Sequence, residues 1–266
     1  EASGANVEPW GGTTIMGYPG ITQDNIQANM DGYFHYKSIS QVLNNLEAKV
    51  GCGVAVDIIN NTAPVITPLA NYSIPKGTAF VLTGQGTDPD NDPLTYLWEQ
   101  YDSRNNIQPP LPSNVAGPVY RSRLPKADNM RYFPHLSAVL SNNLTPIWEV
   151  TPHVARTLNF SLLVNDNRAT GNQTARDAMV VTVTNAGPFK VTSHMGSSYT
   201  AGTNTVKWDV AGTNTGAVNT RYVTILLSKD GGYHFDTVLA ASVPNNGSAV
   251  VNFPNENIGT ARIMVK

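Results

Sequence analysis

The sequence predicts a mainly β chain, with two β-sandwich modules preceded by a small, partly helical segment. Three observations predict this. Only 14% of the 266 residues are charged, while Gly (22) and Pro (18) are plentiful, the profile of turn-rich β modules. Short runs of alternating apolar and polar residues recur between Gly, Pro and Asn clusters. Apolar residues at convincing helical spacing occur once, near the N-terminus. Two Pro-containing linkers, Asn60–Pro64 and Asn185–Pro188, divide the chain into units 1–61, 62–186 and 187–266. The net charge of −2 and the absence of a basic stripe lead us to expect no nucleic-acid partner, and no apolar run is long enough to span a bilayer.

In the first unit, Gly11 to Gly20 reads as a tight turn with Ile15 and Met16 set among glycines, so that Met16 is expected as a buried plug beneath it. A helix follows. Asp31 is the expected N-cap, Phe34, Ile39, Val42, Leu43, Leu46 and Val50 recur at helical spacing, and Gly51 suits the C′ position. The residues before Pro64 hold too little apolar surface for a core of their own, so this unit is expected to pack against further sequence. Glu1–Asn6 resembles neither an initiator segment nor an export signal, and Arg262–Lys266 stops inside a predicted strand, so the chain reads as a fragment truncated within its last module. Cys52, the single cysteine, either pairs with a cysteine outside this sequence or is a buried free thiol.

The middle unit begins at Val65-Ile66. Thr78–Thr83 reads as a strand, and Leu94, Tyr96 and Trp98 alternate with Thr95, Leu97 and Glu99 as a half-buried strand does. Between them, Asp88, Asp90 and Asp92 crowd one loop. A hard cation such as calcium would offset their repulsion, and Asp166 from the Asn165–Asn167 loop is a further candidate ligand. Counted from Asp88, an EF-hand needs Gly at its sixth place and Glu at its twelfth; the sequence has Pro93 and Glu99, which excludes that motif. A solvated turn with Asp side chains capping backbone N–H groups is the other reading. Asp102 to Pro152 reads as a long insertion, packed down by Tyr132, Phe133, Leu136, Val139 and Leu140, and two clear strands at 158–164 and 178–183 close the unit.

The last unit shows strands at 205–210, 222–227 and 249–253 between Gly/Asn turns, an immunoglobulin-like spacing. Ser228, Asp230, Gly232 and Phe235 match the Asp-box pattern of β-hairpins in sialidase-like proteins. This reads as a turn whose aspartate bonds the backbone and whose Phe235 plugs the core.

Taken together, Val7-Glu8-Pro9, Thr14 to Tyr18, Asn25 to Asn29, Tyr33-Phe34-His35 and Gly51-Cys52-Gly53 resemble the end of the catalytic domain of reprolysin-like (metzincin) zinc metallopeptidases from secreted bacterial proteins. The segments 117–122, 131–134, 148–150 and 155–160 are similar to the interior of the β-module that follows that domain. The resemblance implies that Met16 belongs to the Met-turn beneath the zinc, shaped by Thr14, Ile15, Gly17 and Tyr18. The zinc ligands lie outside this chain, because H-E-x-x-H occurs nowhere and the five histidines are scattered singly. The expected function is therefore that of an inactive C-terminal portion of a secreted or cell-surface bacterial zinc metalloendopeptidase. Its partners would be the upstream catalytic domain and, for the whole enzyme, a protein or peptide substrate. The alternative is an adhesion or glycan-binding β-sandwich protein with calcium-stabilised loops, favoured if Tyr101, Tyr120, Tyr199 or Tyr233 form an exposed platform.

Overall fold

The computed structural model describes residues 4–49, 51, 53, 54, 56–104, 109–196 and 198–266, and Val50 and Cys52 lie outside them. The fold is mainly β, with two helices among the described residues. In chain order the elements are α1 (Tyr36–Ala48), β1 (Val65–Ile66), β2 (Tyr72–Pro75), β3 (Phe80–Thr83), β4 (Gly86–Thr87), β5 (Thr95–Gln100), β6 (Met130–Phe133), α2 (Leu136–Leu140), β7 (Arg156–Asn165) and β8 (Thr174–Thr184), then β9 (Lys190–Val191), β10 (Gly202–Asp209), β11 (Tyr222–Ser228), β12 (Thr237–Pro244), β13 (Ser248–Phe253) and β14 (Arg262–Val265).

The first core lies between a four-stranded sheet, ordered β2-β8-β7-β5, and the antiparallel pair β3-β6. Leu158, Phe160, Leu162 and Val164 alternate along β7 and are all fully buried, as the two-residue period of a strand requires. Phe80, Tyr120, Phe133 and Phe160 meet across the layers with ring centroids 4.7–6.2 Å apart. The stretch from Asp102 to Pro152 is more than an insertion. It supplies β6 to pair with β3 and places Val119 and Tyr120 in the core. A second core gathers Val206, Trp208, Val223, Ile225, Val251 and Val265 from the sheets β13-β10-β9 and β12-β11-β14. The junction between the two is held firmly: Lys76 N donates to the Ala186 carbonyl, Phe189 N donates to Thr78 Oγ1, and Gly187 (φ +107°) lies so close to Lys76 that a Cβ there would come 2.4 Å from its carbonyl oxygen.

Two sequence expectations are corrected here. The N-cap of α1 is His35, whose ring accepts the Lys37 N–H, and Asp31 instead donates its backbone N–H to the Thr13 carbonyl. The strand at 95–100 is buried on both faces, not one, because the side of the sheet opposite Trp98 is covered where the 33–36 segment meets Glu99.

Candidate functional site

The 11–18 turn is built around Glu8. Its carboxylate accepts the Thr13 N–H at 2.9 Å and the Thr14 hydroxyl at 2.6 Å, which lets both threonines be buried at no cost in unpaired polar groups. Gly17 N bonds the Thr14 carbonyl and Tyr18 N bonds that of Gly11, closing the turn. Thr13 and Thr14 fill the space beneath it, and Ile15 is half-buried. Met16 therefore points outward, 65% exposed, instead of plugging the turn as expected, and Tyr18 is exposed beside it.

This turn and α1 are fastened to the β5 sheet by polar bonds. Tyr33 donates to Ser122 Oγ at 2.7 Å, Tyr36 N donates to Glu99 Oε2 at 2.6 Å, and Arg121 donates to Gln27 at 2.6 Å. Arg176 reaches Ser40 at 3.2 Å, and the Tyr36 ring lies 5.2 Å from that of Tyr101. Yet α1 has no fully buried residue, and Val42, Leu43 and Leu46 form an exposed stripe at helical spacing. Met16, Ile21, Met30 and Phe34 add to the exposed apolar surface of the same segment.

Among the described residues, Asp88, Asp90 and Asp92 form the one group of three or more His, Cys, Asp or Glu side chains whose ligand atoms could meet a metal, all within 4.8 Å of one another. Asp88 Oδ1 accepts the N–H groups of Asp90 and Asp92, so the loop curls around it, and Asn91 takes φ +62° at the tip. Asp90 Oδ2 holds the Thr62 N–H at 2.7 Å, and Asp92 Oδ2 holds Arg168 at 3.0 Å. Asp88 Oδ2 is buried without a hydrogen-bond partner. An all-oxygen donor set whose unclaimed oxygens include a buried one could hold a hard cation and gives no nitrogen or sulfur to zinc. Asp166 is joined to this loop only indirectly. Fully buried, it accepts the N–H groups of Arg168 and Gln173 and the Asn61 amide; burial pushes its carboxyl up, but these bonds outweigh it and hold the group below the usual range.

The Asp box forms the expected turn: Asp230 Oδ1 accepts the N–H groups of Tyr233 and His234 at 3.0 Å, and Gly232 N donates to Ser228 Oγ. Phe235 is half-buried and stays out of the second core, contrary to expectation. The four tyrosines form no common platform, since Tyr120 is in the first core and Tyr101 lies under α1. Tyr199 leans on His194 at 4.1 Å, and Tyr233 borders a cleft of about 530 Å³ against the 123–136 region. Arg123, Lys126, Arg131 and His135 line that cleft, but each already faces Glu149 or Asp128.

Sequence reading missed the cluster of buried Glu99, Ser122 and His35 with half-buried Tyr33, in which the fold brings Tyr33 to Ser122 across 89 residues. Only the Glu inside an apolar strand hinted at them. No protein-family model matches the chain, and no curated protein matches its sequence.

Proposed function

We propose that this chain is the non-catalytic, supporting part of a secreted bacterial zinc metalloendopeptidase, in which the 4–48 segment seats a catalytic domain on the β-modules. One observation carries this reading: the segment is anchored from below by buried polar bonds, while Met16, Ile21, Met30, Phe34, Val42, Leu43 and Leu46 face outward. An ordered segment with that much exposed apolar surface suits a protein partner. In the whole enzyme, zinc would activate the attacking water; this chain has no H-E-x-x-H and contributes only the turn at Thr14–Tyr18 and the β scaffold. The test is protein digestion by the chain extended upstream through its reading frame, against the 266-residue chain and against the long form with a zinc chelator. Cleavage by the long form alone, stopped by chelator, is the expected result. A long form that neither carries H-E-x-x-H nor cleaves would sink the proposal.

A second reading, an adhesion or glycan-binding protein with a calcium-stiffened loop, is favoured by the unclaimed Asp88 Oδ2 within the acidic group. It expects calcium to raise the melting temperature by several degrees over chelator, by linkage at a free concentration of roughly 100 times Kd. The rise should vanish in Asp88→Ala. Equal melting temperatures in calcium and chelator remove the cation from this reading.

A further inference from the structure

The 4–48 segment seats on β5 over two ionisable side chains, Glu99 and His35, exposed by only 1% and 2%. The His35 ring is fixed in one tautomer. Its Nδ1 accepts the Lys37 N–H at 3.0 Å as the cap of α1, so the ring proton sits on Nε2, 3.2 Å from the Gln100 carbonyl oxygen. A second proton, on Nδ1, would destroy the cap. Glu99 Oε1 lies 3.8 Å from His35 Nε2 and bonds the Ser122 hydroxyl, which also meets Tyr33, while Oε2 accepts the Tyr36 N–H.

The surrounding charges do not favour an ion pair here. Arg131 faces Glu99 but is held by Glu149 at 3.1 Å, and Glu8 faces both His35 and Tyr33 but is engaged by Thr13 and Thr14. Asp31 acts on Tyr33, whose hydroxyl is pushed up chiefly by burial and stays protonated. Burial likewise raises the Glu99 carboxyl to about 7 and lowers the His35 imidazole.

We propose that the segment seats with an internal exchange of one proton: a carboxylate and an imidazolium when lifted into water, a carboxylic acid and a neutral imidazole when seated. The His35 Nδ1–H bond breaks, an O–H bond forms on Glu99, and solvent carries the proton between them. The Ser122 and Tyr33 hydroxyls can each give or take a hydrogen bond and so can turn to receive the acid proton. The pair keeps the same number of protons, and seating becomes insensitive to pH across a window in which either group alone would make it sensitive. This inference does not depend on what covers the outer face of the segment.

The signs follow from linkage. A carboxyl raised from 4.5 to about 7 weakens seating as pH rises through that interval. An imidazole lowered from 6.5 weakens seating as pH falls below 6.5. Between 4.5 and 6.5 the two slopes have opposite signs, and under the proposed exchange they cancel. The test is the hydrogen-exchange protection of the Tyr36 and Lys37 amides across that interval, corrected for intrinsic exchange. Wild type should be flat. Glu99→Gln should lose protection as pH falls, and His35→Asn, which keeps a capping side chain, should lose about 100-fold as pH rises. Variant profiles as flat as wild type, or slopes of the opposite sign, overturn the proposal. Where a variant fails to seat at all, NMR of wild type at about pH 5.5 decides, since that lies below the ordinary histidine pKa: a neutral Nε2–H ring on His35 together with a protonated carboxyl carbon shift on Glu99 supports the exchange, and a doubly protonated ring or an ionised Glu99 refutes it.

Discussion

Glu149 brings three residues of the 102–152 stretch to one buried carboxylate. Its buried carboxylate meets Arg123, Arg131 at 3.1 Å, and both the backbone N–H and the ring of His135, at 2.7 and 2.8 Å. Arg131 in turn donates to the carbonyls of Trp98 and Arg121, at 2.5 and 2.6 Å, and its guanidinium lies 4.6 Å from the centroid of the Phe133 ring. Removing one partner from such a buried pair strands the other, so Glu149→Ala should cost about 3–5 kcal/mol in urea unfolding. The pH response has a definite sign. Burial pushes the Glu149 carboxyl up, but Arg131 and then Arg123 more than reverse this and hold it below its ordinary range. Its stabilisation is therefore full above that ordinary value and is lost as pH falls through the lowered one. The drop in urea midpoint on acidification should be smaller in Glu149→Gln than in wild type, and equal drops would contradict the assignment. The sequence leads us to expect that some of Arg104, Arg121, Arg123 and Arg131 pair internally, as Arg123 and Arg131 do, but their partner is not legible until β6 and the 148–150 segment bring them together.

At the level of elements, α1 shows how much a periodic pattern can and cannot say. Ile39, Val42, Leu43 and Leu46 revealed the helix from their spacing alone, but not which way that face would point. The start was misjudged because a histidine ring took the capping role usually given to Asp, Ser, Thr or Asn. Since Leu43 and Leu46 are exposed, a Leu43→Glu/Leu46→Glu double substitution should leave the unfolding midpoint of this chain within about 0.5 kcal/mol of wild type. Under the proposed function, the same change should abolish binding of a separately produced upstream domain in a pull-down. Loss of stability instead would mean that the stripe is packed in this chain in solution. The acidic loop was easier to read, because Asp88, Asp90 and Asp92 are sequence neighbours and their convergence needs only a turn.

For the molecule as a whole, composition and alternation were enough to make the fold mainly β, and the strands at 156–165 and 174–184 follow their patterns closely. What escaped was pairing over long separations. The 102–152 stretch looked like an appendage because its four-residue strand is short and its partner, β3, lies on the far side of the acidic loop and β5. The parallel pairing of β2 with β8 joins Tyr72 to Val181, and Thr184 bonds the Ile74 carbonyl some 110 residues back. A chain emerging from the ribosome cannot complete this sheet until β8 is free of the exit tunnel. Until then β2 waits as an open edge with no neighbour, and a half-made sheet is exposed to pairing with the wrong strand.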